Sequence, residues 1–379
     1  MKFIVFGEDW GGLPSSTQHL FKHLSKSHNV HWVNSVGMRR PKMNKTDFVR
    51  LCTKAWAFLT KSRQHAKRLN DHNLKKVSSL AILPWHNNKL VNLINKALWL
   101  LQLGENKDQE PIIYWISVPT AMSFIKLRRQ DKLIYYCGDE FGALAGVDHD
   151  MVAPFEQTLI ERAHLIYVVS EKLKRKMPQS KTKLLTHGVD FELFNHPTPA
   201  NRMLSKHQRK VGFYGSINTW LDVALLIQLA KQRPHYELYL IGAVINYTSE
   251  IETLFSLPNV IHIDAVDHKT LPSFSQHWHV SIMPFLDNEQ IRACNPLKLK
   301  EYLAAGTPIV TTHFPAALQF KQTLFIANDV DSFIEAVDMA MSVKELPDLN
   351  WQYSQAQLAA PHSWHSKAQQ VSQTLSLLP

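Results

Sequence analysis

Short apolar runs alternate with helical patterns along the whole chain. The runs have the length and composition of buried strands, and the stretches between them show the 3.6-residue periodicity of helices. Strands separated by helices indicate βαβ units, and therefore doubly wound parallel sheets. The predicted strands are 2–7, 29–33, 111–116, 132–137, 165–169, 182–185, 211–215, 236–242, 259–263, 279–285, 308–312 and 324–327.

A polar segment with two prolines, "NHPTPANRMLSKHQRK", separates the two series of strands. It shows no periodicity and is typical of a linker. We therefore predict an N-terminal domain over residues 1–195, a linker over 196–210 and a C-terminal domain over 211–350. Two such domains leave a central cleft, and the carboxyl ends of their strands, where these sheets bind ligands, can face each other across it.

The stretch "NPLKLKEYLAAGTPIVTT" contains signals for the start and end of a helix. Asn295 is a good N-cap, Pro296 suits the first helical position, and Gly306 followed by Thr-Pro supplies a stop. The predicted helix covers residues 296–305 and lies between two buried strands. In a βαβ unit its N-terminus lies at the carboxyl end of the preceding strand, where free N–H groups favour an anion.

Two charges near the front of this helix have two explanations. Lys298 opposes the helix dipole, which a bound phosphate would reverse. Glu301, three residues later, shares its face. The pair forms either an ordinary surface salt bridge or part of an anion-binding site.

Loops with glycine follow the first strand of each half. In "FGEDWGGLPSSTQHL", Gly11 and Gly12 come before a helix, and in "FYGSINTW", Gly215 and Ser216 do the same. Both loops are predicted to open onto the cleft.

Composition indicates a globular protein without a membrane span. Hydrophobic residues make up 45% of the 379 residues and charged residues 20%, and no apolar run reaches the length of a transmembrane helix. "MKFIVFGEDWGG" is predicted to be a first strand, not a signal peptide. Three separated cysteines without a C-x-x-C pair predict reduced thiols and a cytoplasmic location.

The net charge of +10 is concentrated in one region. Residues 39–76 are rich in Lys and Arg, interrupted by aromatic and aliphatic residues, with only Asp47 and Asp71 as acids; residues 90–104 form a strongly apolar helical pattern. The pattern predicts either a surface facing anionic lipid or a phosphorylated partner, or a solvated helix with an ordinary buried stripe. No nucleic-acid-binding motif accompanies it, so we predict no nucleic-acid partner.

The second half resembles the donor domain of GT-B glycosyltransferases of the bacterial group 1 type, which act in polysaccharide synthesis. The stretch from Asn295 to Thr312 resembles their pattern P-x-K-x-x-E-Y-x-A-x-G-x-P-V-V, "LLTHGVDFELF" resembles the signature that ends the first domain, and "HSWHSKAQQV" resembles a tail helix that crosses back to it. The resemblance implies a GT-B fold with the helices of 351–379 packed on the N-terminal domain. It also implies a nucleotide-diphosphate sugar as donor.

Specific roles follow from the resemblance. Glu301 would accept hydrogen bonds from the ribose hydroxyls, Lys298 would meet the donor phosphates, and the backbone near Val266 would hold the base. The remaining positions expected to bind the donor are Gly215, Ser216, Asn295 and Pro296; Gly11 and Gly12 are expected to bind substrate in the first domain.

Two departures from the family pattern affect the expected mechanism. Many retaining members carry a second Glu eight residues before the ribose-binding one, where this chain has Ala293. The usual cations after the first donor-domain strand are absent, and Arg292 is the candidate substitute. The missing Glu puts a retaining mechanism in doubt, and an inverting one needs a general base.

Two aspartates are candidates for that base. Asp139, in "YYCGDEFGAL" with Glu140, matches the position of the proposed base in the glucuronosyltransferase of xanthan synthesis; Asp9 in the first loop is the rival. Asp139 could instead cap its loop. "DHD" and "DVD" have the spacing of a GT-A metal site, but their positions predict helix caps, so no metal and no cofactor is expected.

The sequence thus predicts a metal-independent hexosyltransferase at the inner face of the cell membrane. Its acceptor would be a lipid-linked or growing glycan, and its basic N-terminal domain would contact the membrane. Two alternatives remain, namely a nucleotide-sugar 2-epimerase of the same fold and a non-catalytic nucleotide-sugar binder.

Overall fold

The computed structural model describes most of the chain and divides it into two compact units. Unit 1 comprises Met1–Thr186 and Ala368–Pro379, and unit 2 comprises His187–Lys367. The residues described are 1–12, 15–35, 74, 76–80, 82–83, 86, 88–103, 110–139, 148–345 and 349–378.

Unit 1 contains a seven-stranded parallel sheet in the order β3-β2-β1-β4-β5-β6-β7. Each strand predicted for this half is present. The strand missed by sequence, β3, has the short, polar sequence KVS, which lacks an apolar run. The strands are β1 Lys2–Phe6, β2 Asn29–Val33, β3 Lys76–Ser78, β4 Ile112–Ile116, β5 Lys132–Cys137, β6 Leu165–Val168 and β7 Thr182–Leu184.

Helices with polar caps connect these strands. Ser15 caps α1 through Gln18 N–H, and Asp148 caps α3 through Met151 N–H, so the first Asp of "DHD" is a cap, as predicted. The helices are α1 Ser16–Leu24, α2 Lys89–Leu103, α3 His149–Arg162 and α4 Glu171–Lys176.

Unit 2 contains a six-stranded parallel sheet in the order β10-β9-β8-β11-β12-β13. Relative to its first strand this is the 3-2-1-4-5-6 order of a Rossmann fold, which reverses direction between β8 and β11. The strands are β8 Arg209–Tyr214, β9 Tyr236–Ile241, β10 Val260–Ile263, β11 Val280–Met283, β12 Ile309–Thr312 and β13 Phe325–Ala327.

The helices of unit 2 cover its sheet. Five short 3-10 turns interrupt the loops of the described residues, namely Pro119–Ser123 and Gln179–Lys181 in unit 1 and His268–Thr270, Ala317–Phe320 and Ala360–His362 in unit 2. Asp329 of "DVD" accepts the N–H of Ser332 at 2.9 Å, again as a cap. The helices are α5 Phe191–Asn195, α6 Val223–Gln232, α7 Ser249–Phe255, α8 Pro272–Ser275, α9 Glu289–Ala293, α10 Leu297–Ala305, α11 Val330–Glu345 and α12 Leu349–Ala359. The last helix, α13 Trp364–Ser376, is divided between the two units.

A tight contact places β8 in the core of unit 2. Trp278 is fully buried, and a Cβ added at Gly212 would lie 1.8 Å from its ring. Only glycine allows this approach of strand and indole. The last residue of β8, Tyr214, packs edge-on against Tyr302 of α10 with ring centroids 4.8 Å apart. These contacts hold the end of β8 next to α10.

The segment predicted as a linker is attached to unit 2. The N–H of Thr198 donates to Gln276 Oε1 at 2.9 Å, the N–H of Asn201 donates to the Ser273 carbonyl at 2.9 Å, and Leu204 is buried. The division between units therefore falls at 186/187, before the predicted position near 195. The second boundary between the units falls at 367/368, so α12 belongs to unit 2 and most of α13 belongs to unit 1. The sequence did not predict that residues 196–210 belong to unit 2, because hydrogen bonds of polar residues, and not an apolar periodicity, attach this segment to it.

No helix in the described residues is long and apolar enough to cross a membrane.

Candidate functional site

Two glycines shape the carboxyl edge of the sheet in unit 2. Gly215 follows β8 with φ +137, and Gly242 follows β9 with φ +145. A Cβ at Gly242 would lie 2.2 Å from the carbonyl oxygen of Gly215. Positive φ and this close approach both require glycine. Gly242 is buried, whereas Gly215 is half-buried and follows β8, next to the point where the strand order reverses.

The Lys298 side chain lies directly against Gly215. A Cβ at Gly215 would be 2.0 Å from Lys298 Cε and 2.6 Å from its Nζ. The ammonium is 5.5 Å from the ring centroid of Trp220 and 5.9 Å from that of Phe213, within the range of cation–π attraction. The carboxyl edge of this sheet thus places the Lys298 ammonium next to two aromatic rings.

Lys298 makes no ion pair with any carboxylate of the described residues. Burial lowers its pKa, and Glu301 and Cys294 only partly oppose this. The surface salt bridge between Lys298 and Glu301, one of the two explanations offered by the sequence, is absent, and the two Glu301 oxygens accept hydrogen bonds from other groups. A partly desolvated ammonium without a counter-ion would be stabilised by an anion.

Glu301 is buried, with 6% of its surface exposed. Its Oε2 accepts from the Tyr214 hydroxyl at 2.9 Å, and its Oε1 accepts from His268 Nε2 at 2.8 Å. Tyr214 is the last residue of β8, and His268 begins the 3-10 turn His268–Thr270. Because a carboxylate has about four acceptor positions, these two bonds leave room for further donors.

The start of α10 differs from the prediction. The helix begins at Leu297, Pro296 occupies the cap position with ψ 130, and no side chain caps the first turn. The prediction that Asn295 caps this helix is wrong, because its Oδ1 accepts a hydrogen bond from the buried Lys300 ammonium. Pro296 is likewise one position earlier than predicted. Pairing of a buried lysine five residues along the chain outweighs the capping preference of Asn295, while Gly306 ends the helix in the left-handed conformation with φ 71, as predicted.

Three other positions predicted to bind the donor differ in their surroundings. Ser216 is exposed beside Gly215, and Val266 is half-buried against the core. The guanidinium of Arg292 is exposed and bonds Asp287 at 2.6 and 2.7 Å. Ala293, where the second Glu is missing, is buried. The positive charge of Arg292 is thus already neutralised by a neighbour, whereas that of Lys298 is not.

In unit 1, the loop after β1 is held by its own hydrogen bonds. Gly11 has φ +79 and donates its N–H to Gln18 Oε1 at 3.3 Å, and Gly12 donates to the Asp9 carbonyl at 3.0 Å. The Asp9 carboxylate is exposed and accepts the N–H of Ser35 at 3.0 Å. Asp9 therefore helps to fix the loop, in addition to being a candidate base.

Asp139 follows β5 at the carboxyl edge of the same sheet. Its side chain is open to solvent, yet the surrounding chain removes part of its hydration and raises its pKa to about 6, with a contribution from the negative charge of Glu8. Such a carboxylate is ionised at neutral pH and is a stronger base than an ordinary aspartate. Glu140 lies outside the described residues.

Sequence reasoning missed Tyr214 and His268, which bind Glu301, and Gly242 and Trp220, which line the same edge. Gly242 directly follows a predicted strand, as Gly215 does, and this signal could have identified it. The sequence offered no signal for His268, because its contact with Glu301 joins positions 33 residues apart.

In the described part of the chain, no group of three or more His, Cys, Asp or Glu residues could hold a metal ion.

Known proteins resemble this chain in the sequence of part of it and in fold. Residues 208–342 match the family model "Glycosyl transferases group 1". The chain is similar to the putative teichuronic acid biosynthesis glycosyltransferase TuaH of Bacillus subtilis (strain 168), with 27% identity over 226 residues. That alignment covers 55% of this chain and 57% of the relative, so it spans little more than half of the length of TuaH.

Solved structures resemble the chain over its full length. They include Anabaena Alr3699/HepE in complex with UDP and glucose (TM-score 0.67, 14% identity, 100% of both chains), sucrose-phosphate synthase from Thermosynechococcus elongatus (0.68, 14%, 100% of this chain and 98% of that chain) and an E. coli trehalose-6-phosphate structure bound with UDP-2-fluoro glucose (0.66, 13%, 100% of both). At these identities the likeness concerns the fold. The chain therefore has the predicted GT-B fold of two Rossmann-like units, and the sequence of its second unit matches the group 1 glycosyltransferases.

Proposed function

We propose that this protein is a glycosyltransferase that transfers a hexose from a nucleotide-diphosphate sugar to a glycan acceptor in polysaccharide synthesis. The observation that carries the proposal is the Lys298 ammonium, which lies against the backbone of Gly215 without a carboxylate partner among the described residues. The family match of residues 208–342 and the full-length likeness to a structure bound to UDP and glucose support it. Neither the epimerase nor the non-catalytic alternative is favoured by these comparisons.

Each part of the donor has a matching group in unit 2. The uncapped first turn of α10 offers N–H groups to the diphosphate, and Lys298 adds a charge beside them. The remaining acceptor positions of Glu301 suit the ribose hydroxyls. Ser216 and the backbone at Val266 complete the donor site in this proposal. Because Lys298 and the helix N-terminus neutralise the diphosphate, we propose that transfer needs no metal.

The reaction requires one proton acceptor. The acceptor hydroxyl oxygen forms a bond to the anomeric carbon as the bond from that carbon to the diphosphate breaks, and the nucleoside diphosphate leaves with the electron pair. Asp139 takes the hydroxyl proton, and Lys298 stabilises the charge that develops on the leaving diphosphate. With Ala293 in place of a second Glu, we propose inversion at the anomeric carbon.

We further propose that the acceptor is lipid-linked and that the protein works at the inner face of the cell membrane. The basic region 39–76 motivates this proposal, although most of it lies outside the described residues. Helix α2 supports it. Five large apolar side chains on α2 are 49–79% exposed, and the helix carries two lysines and no acid. These exposed side chains are Leu90, Leu93, Ile94, Leu100 and Leu101.

A thermal-shift panel of UDP-, GDP-, dTDP- and ADP-sugars tests the donor site, because a ligand that binds the folded state raises Tm. One member of the panel is expected to raise Tm in wild type and in the presence of EDTA. Lys298→Met should lower the affinity at least about tenfold, as expected for loss of a charge-assisted phosphate contact.

The matched control is Lys300→Met. Lys300 lies on the same helix and is buried, whereas Lys298 is half-buried, and it bonds Asn295 and does not contact Gly215. Donor affinity should therefore be unchanged in this variant. Equal affinity of wild type and Lys298→Met would contradict the proposed donor site, and loss of binding in EDTA would contradict metal independence.

A further inference from the structure

Glu301 is held by two donors that come from different parts of unit 2. Tyr214 reaches it from the end of β8, and His268 reaches it from the turn after β10. Tyr214 is itself fixed, since its backbone N–H donates to the Tyr302 hydroxyl at 3.0 Å. A carboxylate bound at both oxygens has one orientation, which is what precise binding of a sugar hydroxyl requires.

The bond from His268 differs from that of Tyr214 because an imidazole, unlike a phenol, can gain a proton and become a cation. Since a carboxylate accepts only, His268 Nε2 is the donor. The ring packs edge-on against Phe194 at 5.3 Å and is partly buried. Burial disfavours the imidazolium, but the hydrogen bond and charge of Glu301, with Asp190 and Asp267, outweigh it and raise the pKa of His268.

We propose that His268 is a positioning residue for Glu301 and that a proton on His268 strengthens binding of the nucleotide sugar. This inference rests on the proposed function. A protonated His268 neutralises Glu301, so the dianionic diphosphate meets a more positive site. It also turns a hydrogen bond with one ionised partner into an ion pair, which holds Glu301 more firmly for the ribose.

Binding of a nucleotide sugar as a function of pH tests the inference. The diphosphate of a nucleotide sugar is a diester, so it has no phosphate group that titrates near pH 6, unlike a free nucleoside diphosphate. For the sugar nucleotide that stabilises the wild type, affinity measured calorimetrically without acceptor should rise about fivefold from pH 8.5 to pH 6.0. His268→Gln keeps a donor at the Nε2 position but cannot gain a proton, so its affinity should change less with pH than that of the wild type.

The exposed His235 provides the matched control. His235→Gln should keep the wild-type pH dependence. Wild-type binding that does not vary with pH, or the same variation in His268→Gln, would overturn this inference and leave the proposed function intact. Failure of every nucleotide sugar to bind at any pH would overturn both.

An NMR titration of the histidine Cε1–H signals tests the coupling without ligand and without relying on the His268 variant to fold. The His268 signal should titrate above the usual pKa in wild type, and Glu301→Gln should lower that pKa. A His268 pKa that is unaltered by Glu301→Gln would refute the coupling. Tyr214→Phe, which removes the other donor, should weaken binding equally at pH 6.0 and pH 8.5.

Discussion

Three ionisable side chains, Lys298, Glu301 and His268, occupy one edge of the second sheet, and their contacts separate their roles. His268 pairs with Glu301 at 2.8 Å, which leaves Lys298 without a carboxylate partner in the described chain. An unpaired buried charge costs stability, and proteins commonly keep such a charge where function needs it. The residue-scale predictions therefore concern the groups that hold these charges in place.

Replacing Gly215 by Ala tests the contact between backbone and ammonium. The new Cβ would overlap Lys298 Cε, and φ +137 disfavours any side chain. We expect a loss of about 1–3 kcal/mol in the free energy of unfolding and at least about a tenfold loss of donor affinity. Denaturant unfolding and calorimetry measure the two quantities.

Gly306→Ala is the control, because Gly306 also has positive φ and ends the same helix far from Lys298. It should cost about 1 kcal/mol of stability and leave donor affinity unchanged. A Gly215→Ala protein that binds donor normally would show that Lys298 does not need its present position.

Asp139→Asn distinguishes between the two candidate bases. With a pKa of about 6, Asp139 loses its basic form as pH falls through 6, so wild-type activity should fall over that range. The kcat of Asp139→Asn should be about 10²–10⁴-fold lower than that of the wild type, with little change in donor affinity. The kcat of Asp9→Asn should fall far less. Steady-state kinetics against pH provide the measurement; the reverse ranking of the two variants would assign the base to Asp9.

At the scale of elements, α2 shows how one helix can have two apolar sides with different environments. Trp99 is buried and packs against Phe6 with centroids 5.3 Å apart, and Asn95 bonds the backbone of Leu83. The opposite side exposes leucines to solvent. Exposed apolar stripes of this kind, flanked by lysines, are typical of helices that lie in a membrane interface.

The double substitution Leu93→Gln, Leu101→Gln tests this surface. Both side chains are largely exposed, so folding should be unaffected. Binding to vesicles containing anionic lipid should fall at least about tenfold, since two apolar side chains lose burial in the bilayer. Leu377→Gln, an exposed leucine elsewhere, is the control for co-sedimentation, and equal binding of all three proteins would rule out α2 as the contact.

At the scale of the whole molecule, both units contain half-buried histidines that are held neutral. Burial, assisted by nearby lysines, lowers the pKa of His31 and His362 to about 4 and that of His187 to about 3. The unfolded chain binds protons at these positions below about pH 6.5, and the native protein does not until pH 3–4. More protons bound in the unfolded state mean that stability falls as pH is lowered.

We therefore expect Tm to decrease steadily from pH 7 to pH 4. The raised pKa of His268 acts in the opposite direction, because its contribution is complete below pH 6.5 and is lost as pH rises through its folded-state pKa. Scanning calorimetry in buffers of matched ionic strength measures the slope. His362→Gln should reduce it, and a Tm that rises between pH 7 and pH 4 would contradict the native-state neutrality of these rings.

The sequence by itself determined the class of fold, most strand positions and the stop at Gly306. These features depend on local periodicity, residue size and turn chemistry, which neighbouring positions supply. It also placed Lys298 and Glu301 on one short helix. The comparisons support the family resemblance that gave them roles, while the roles themselves remain predictions.

Only the tertiary structure decided which groups those charges meet. Tyr214 lies 87 positions from Glu301, and His268 lies 33 positions from it. A buried charge binds whichever donor or acceptor the packed core brings near it, because leaving it unpaired costs more than any local preference contributes. That choice depends on how distant strands and helices pack, and no local pattern in the chain records it.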